Sequence, residues 1–160
     1  MQYKPPSQLN ILLADDEAST SSAIAYAMRH YGHHVDVVGS GDEALARLMK
    51  EPDKYELLIT DHNMKLGSGL ELVGKLKGSK FRGGIVVVSG FLTVEVKQAY
   101  RALGVSALVD KPFELPELRE AVMKAAAKTS ETPCETKTPA AGAAADSPKP
   151  RASAPDQSLI

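Results

Sequence analysis

Asp15 and Asp16 follow the apolar run Ile11-Leu12-Leu13-Ala14, Asp61 follows Leu57-Leu58-Ile59-Thr60, and Ser89 follows Ile85-Val86-Val87-Val88. Lys111-Pro112 closes a fourth run built on Ala107-Leu108-Val109. Brought together, three carboxylates, a hydroxyl and an amine describe a site for a cation and a phosphoryl group. Clustered carboxylates repel one another and persist in a pocket only with a compensating cation. Hard oxygen donors with no His or Cys among them point to Mg²⁺ rather than Zn²⁺. Lys111 adds a fixed positive charge and Ser89 a donor, which suits the equatorial oxygens of a phosphoryl group in transfer. Asp61 is the best acceptor, because aspartate carries phosphoryl groups in covalent catalysis and this one ends a central run. A lone Asp in such a position reads as a turn or capping carboxylate; four clusters at four run ends make that reading a poor one.

The elements that must position these residues alternate. Runs of this length and β-branched content are buried parallel strands, whose C-terminal ends meet along one sheet edge. The first helix places Ile24, Ala27, Met28 and Tyr31 on one face and stops at Gly32. Val35 to Val38 alternates with polar residues, as an edge strand does. Ser40-Gly41-Asp42-Glu43 predicts a capping box for a helix burying Ala44, Leu45, Leu48 and Met49. Ser68-Gly69-Leu70-Glu71 repeats the device ahead of Leu72, Val73 and Leu76. Thr93 caps a fourth helix with Val96, Ala99, Tyr100 and Leu103 on its apolar face, ended by Gly104. The fifth helix starts near Leu115, takes Pro116 in its first turn and buries Leu118, Ala121, Val122 and Ala125. Five βα units with right-handed crossovers form a doubly wound parallel sheet, a flavodoxin-like (βα)5 fold of strand order 2-1-3-4-5. Its switch point, between strands 1 and 3, sets Asp15 and Asp16 beside Asp61.

Composition bounds the rest. The 160 residues are 43% hydrophobic with a formal net charge of −1, which gives a core but no global field for nucleic acid or anionic membrane. No apolar run reaches a membrane span, and the polar start lacks a signal peptide's apolar stretch. The single cysteine, Cys134, excludes an internal disulfide framework; it reads as an inert thiol in a cytoplasmic protein. Residues 7–128 form the expected domain. From Thr129 to Ile160 the chain is Ala-, Pro-, Ser- and Thr-rich and holds five of the ten prolines, so it reads as a disordered tail. A DNA-binding output would need a basic helix-turn-helix segment, and the tail does not read as one.

In combination these residues resemble the receiver domains of two-component response regulators, over roughly Leu9 to Ala127. The resemblance implies that Asp15 and Asp16 are the acidic pair and that Asp61 is the phosphoacceptor. It assigns a main-chain carbonyl ligand of Mg²⁺ to Asn63, the switch hydroxyl to Ser89 and the site lysine to Lys111, followed by Pro112 and Phe113 in a Lys-Pro bond that is usually cis. It implies Mg²⁺-dependent transfer from a histidine kinase or histidine phosphotransfer protein, and signalling through the fourth helix, fifth strand and fifth helix to an output protein or a second copy of the chain. Lys97, Arg101, Asp110 and Glu117 lie there. Two residues depart from the family pattern. Lys65 stands where proline is usual, and Leu108 where many members carry the Tyr or Phe that turns inward on activation.

The chain is thus expected to be a stand-alone, phosphorylation-controlled signalling module, not a metabolic enzyme. The alternative is a receiver-shaped docking protein that acts without phosphorylation. A flavin-binding protein on the same fold would need a Ser/Thr/Gly-rich phosphate loop where Asp15-Asp16-Glu17 stands; an aspartyl phosphatase would pair its nucleophile with an Asp where Asn63 stands. Gly90 leaves the acceptor open, and Phe91 either shields it or packs locally. His62 is expected to point away as a partly exposed residue, and His30, His33 and His34 to lie on the surface.

Overall fold

In the computed structural model, which describes residues 8–131, apolar runs and amphipathic helices alternate as β1 (Asn10–Ala14), α1 (Ala18–His30), β2 (His34–Val38), α2 (Gly41–Lys50), β3 (Leu57–Asp61), α3 (Gly69–Leu76), β4 (Gly84–Ser89), α4 (Val94–Ala102), β5 (Ala107–Asp110) and α5 (Leu115–Glu131). All five strands pair in parallel in the order β2-β1-β3-β4-β5. This is the flavodoxin-like fold that the alternating pattern predicts.

Successive strand residues face opposite sides, so each strand feeds two cores. Ile11, Leu13, Leu57, Ile59, Val86 and Val88 pack under α1 and α5. Leu12, Ala14 and Leu58 pack under α2 and α3. Val87 meets Tyr100 of α4 and Val73 of α3 in a third cluster. Every residue of β3 is buried, whereas β2, at the edge, shows His34 and Val37 to solvent. The helix ends follow the sequence signals. Gly32 and Gly104 take φ of +90° and +82° just past α1 and α4, a conformation that costs a side-chain-bearing residue far more.

Some expectations need correcting. Ser40 accepts from Glu43 N–H, but the Glu43 carboxylate reaches the N–H of Gly39, so only half of the α2 box forms; the Ser68–Glu71 box is complete. Met49 is 59% exposed, because α2 buries only the narrow stripe of Gly41, Ala44 and Leu48, with Leu45 at its margin. In α4, Tyr100 alone is fully buried, while Val96 and Leu103 pack at the margin. His33 is buried, not a surface residue: its Nδ1 accepts the Leu9 N–H at 3.3 Å where the chain enters β1. Helix α5 runs to Glu131, past the composition break at Lys128. The remainder of the expected tail, with Cys134, lies outside the described residues.

Candidate functional site

Strands β1 and β3 lie side by side in the register Ala14↔Thr60, so the residues that follow, Asp15 and Asp61, leave the sheet as neighbours. The Asp15 N–H is fixed on Val38 O of β2 at 3.1 Å. One carboxylate oxygen from each of Asp15, Asp16 and Asp61 falls within 4.8 Å of the others. Asp15 and Asp61 are only 4% and 8% exposed, so their repulsion is poorly screened. At such a separation it amounts to about 3 kcal/mol for an effective dielectric near 20. Among the described residues a single cation answers it: Lys111 Nζ stands 3.6 Å from Asp61 Oδ2 and 3.9 Å from Asp15 Oδ2. Three carboxylates facing one ammonium leave excess negative charge, which suits a divalent ion with hard oxygen preference.

Burial pushes the Asp15 carboxyl above its ordinary 3.8. The Glu17 N–H, donated to Asp15 Oδ1 at 2.8 Å, and the Lys111 ammonium pull it back, while Asp61 and Asp16 add to the rise. Asp16 Oδ2 accepts the Lys65 N–H at 2.8 Å. Proline in that position has no N–H, so the departure at Lys65 supplies a restraint on an acidic-pair residue; the lysine side chain itself is exposed.

Ser89 ends β4 one residue beyond Val88, the register partner of Asp61. It is fully buried, and its Oγ accepts the Phe91 N–H at 3.4 Å. Phe91 does not pack locally; it is 79% exposed. Lys111 is anchored by its N–H to Ser89 O at 2.7 Å, and the Lys111-Pro112 bond is cis, as the family resemblance implies. Asn63 lies exposed in the loop after β3, lining a shallow recess with Asp16, His62 and Lys65. Asp15, Asp16, Asp61 and Lys111 therefore converge, with Ser89 and Asn63 on the adjoining strand end and loop.

His62 is partly exposed, as expected, but it has a partner that the sequence did not name. Its Nδ1 lies 2.7 Å from the Tyr100 hydroxyl, with the two rings edge to face at 5.7 Å and 77°. Burial, with the Asp61 charge adding to it, holds that hydroxyl protonated well above its usual range. Sequence reading placed Tyr100 on an apolar helix face and passed over its hydroxyl. The available signal was that a buried Tyr needs a polar partner, which Leu or Val in the same place does not.

The sequence profile of the response regulator receiver domain matches residues 11–123. The chain is 30% identical over 114 residues to the response regulator receiver protein CpdR of Brucella abortus, covering 71% of this chain and 93% of that protein. It is also 30% identical over 139 residues to the transcriptional regulatory protein ZraR of Salmonella typhimurium, covering 86% of this chain but only 30% of ZraR. Among solved structures, the chemotaxis protein CheY4 of Vibrio cholerae superposes with a TM-score of 0.68 at 25% identity, over 74% of this chain and 99% of CheY4. No helix among the described residues is long and apolar enough to cross a membrane. A profile spanning most of the sheet, the 2-1-3-4-5 strand order and the converged aspartates agree, and the chain belongs to the response regulator receiver domain family.

Proposed function

We propose that this domain accepts a phosphoryl group on Asp61 from a histidine kinase or histidine phosphotransfer protein, with Mg²⁺ held by Asp15, Asp16, Asp61 and the Asn63 carbonyl. The observation that carries the reading is the meeting of three carboxylates within 4.8 Å with Lys111 Nζ 3.6 Å from Asp61. The donor set fits Mg²⁺: it is all oxygen, carries excess negative charge and is open to solvent on the Asn63 side. Bound there, the ion supplies charge neutralisation for the phosphoryl oxygens.

In the transfer, an Asp61 carboxylate oxygen forms a bond to phosphorus as the P–N bond of the donor's phosphohistidine breaks. The imidazole leaves with the electron pair and takes up a proton, and Asp61 becomes an acyl phosphate. Lys111 stabilises the charge that gathers on the equatorial oxygens, and the Ser89 hydroxyl donates to one of them after leaving its contact with Phe91 N–H. Water attack on phosphorus resets Asp61. Asp61 is consumed and regenerated in this cycle, so the domain is a switch rather than a turnover enzyme. A groove of about 430 Å³ between α1 and the loop after β5, lined by Ala23, Ile24, Pro112 and Phe113, gives a donor an apolar seat beside Lys111. The output surface is the face of α4, β5 and α5, where Lys97 pairs with Asp110 at 3.0 Å, and it serves an output protein or a second copy of the chain. Work without membrane or nucleic-acid contact accords with the near-neutral charge, and the single cysteine suits a reducing cytoplasm. The docking-protein alternative draws support from no residue of the site, since none of its ionic members is missing.

The test is an intact mass after incubation with acetyl phosphate or phosphoramidate and Mg²⁺. A phosphoryl adduct that disappears with EDTA and in Asp61→Ala is expected. No adduct with either donor, together with no Mg²⁺ binding, moves the assignment to the docking protein.

A further inference from the structure

Helix α4 is seated on the domain by one fully buried side chain, Tyr100. Its ring sits among Val73, Val87, Leu92 and Val105, and its hydroxyl extends to the loop after β3, 2.7 Å from His62 Nδ1. His62 is covalently next to Asp61 and is held on both sides: its N–H donates to Val88 O at 3.2 Å, and its carbonyl accepts the Gly69 N–H at 3.0 Å. A Cβ on Gly69 would stand 2.9 Å from the Tyr100 hydroxyl, so the bare glycine is what lets the phenol reach the loop. Leu108 of β5 packs on the same cluster but brings no polar atom to it. The aromatic ring of this cluster thus comes from α4, and it is bonded to the residue after the acceptor. A buried hydroxyl separated from its partner is penalised, so a displacement of the loop must either carry α4 along or break the bond.

We propose that Tyr100 is a positioning residue that ties α4 to the phosphoacceptor loop through His62, so that a change at Asp61 reaches the α4 surface by this hydrogen bond and not by a ring on β5. The proposal rests on Asp61 being the acceptor. Its test is amide hydrogen exchange of the full chain with and without Mg²⁺ and beryllofluoride, a mimic of the acyl phosphate. Wild type is compared with Tyr100→Phe, His62→Ala and His62→Asn. In wild type, exchange is expected to change both in the loop at 61–69 and in α4 at 94–102. Tyr100→Phe and His62→Ala should keep the loop change and lose the α4 change. His62→Asn, whose side-chain oxygen can stand near the place of Nδ1, should restore it, which a merely structural role would not predict. Should Tyr100→Phe fail to fold, the two variants at the partly exposed His62 decide the matter. A full α4 response in Tyr100→Phe or His62→Ala overturns the proposal, as does a wild type that binds beryllofluoride with no α4 response. A wild type that takes up no beryllofluoride fails at the acceptor itself, and the coupling falls with it.

Discussion

Two glycines of α3, five residues apart, should respond in opposite directions to the same substitution. At Gly69 an added Cβ would overlap the Asp61 carbonyl oxygen, stand 2.9 Å from the Tyr100 hydroxyl and 3.1 Å from His62 Cα. None of these can step aside easily: Asp61 ends a strand buried along its whole length, and Tyr100 is fully enclosed. Gly69 also donates its N–H to His62 O at 3.0 Å, which pins it against the loop. The loss in Gly69→Ala is therefore set at the top of the overpacking range, about 3 kcal/mol. For a domain of this size that lowers Tm by roughly 12 °C, at about 4 °C per kcal/mol. At Gly74 nothing lies within 4 Å of the added Cβ and the position is exposed. Gly74→Ala should gain roughly 0.5–1 kcal/mol from helix propensity and lost unfolded-state freedom, raising Tm by roughly 2–4 °C. Urea denaturation of both variants in one buffer, with calorimetric Tm, gives the comparison. If Gly69→Ala proves as stable as Gly74→Ala, the close packing of α3 on the acceptor loop is wrong, and with it the seat of the Tyr100 hydroxyl.

Further outcomes concern charge. Because burial holds the Asp15 carboxyl above its ordinary 3.8, its charged form opposes folding at neutral pH, and that cost fades as pH falls through the folded pKa. Asp15→Asn should therefore raise the urea midpoint in EDTA while abolishing the stabilisation that Mg²⁺ gives wild type. Lys111→Met should slow phosphoramidate-driven phosphorylation by about a hundredfold or more, the scale of removing one donor to developing charge. Since it also removes an ammonium 3.6 Å from Asp61, Mg²⁺ titration should show affinity undiminished. His33 has the opposite sense to Asp15. Burial, with the Arg119 charge, lowers it below 6.5, so the stability it confers is present above that value and is lost as pH falls through the unfolded and then the folded pKa. Denaturation from pH 7.5 to 5.5, on the order of one unit either side of an ordinary His, should show that loss. It should shrink in His33→Asn, which keeps an acceptor for Leu9 N–H.

How far the molecule was legible in its sequence depended on whether a signal was local. Strand runs, the Ser68 box, Thr93 and Gly104 each act within a few residues, and the structure places them as read. The convergence of Asp15, Asp16, Asp61 and Lys111 was legible for a different reason: parallel topology forces the C-terminal ends of β1, β3 and β5 onto one edge. Long-range polar pairs were not legible. His62 and Tyr100 are 38 residues apart, and neither carries a periodic pattern that names the other. His33 looked like a turn residue because its partner, Leu9 N–H, belongs to the entry into another strand. Met49 shows the limit of helical periodicity, which orders the positions around a helix but does not fix how wide a stripe the sheet covers.

The central claim is that Asp61 carries the phosphoryl group, and chemical mapping tests it most directly. The full chain is incubated with phosphoramidate and Mg²⁺, the acyl phosphate is reduced with borohydride, and the peptides are sequenced by tandem mass spectrometry. Reduction converts a phosphorylated aspartate to homoserine. Homoserine at position 61, and none when EDTA replaces Mg²⁺, is the predicted result. Homoserine at Asp15 or Asp16 in its place, or at no aspartate while Mg²⁺ is bound, would contradict the account.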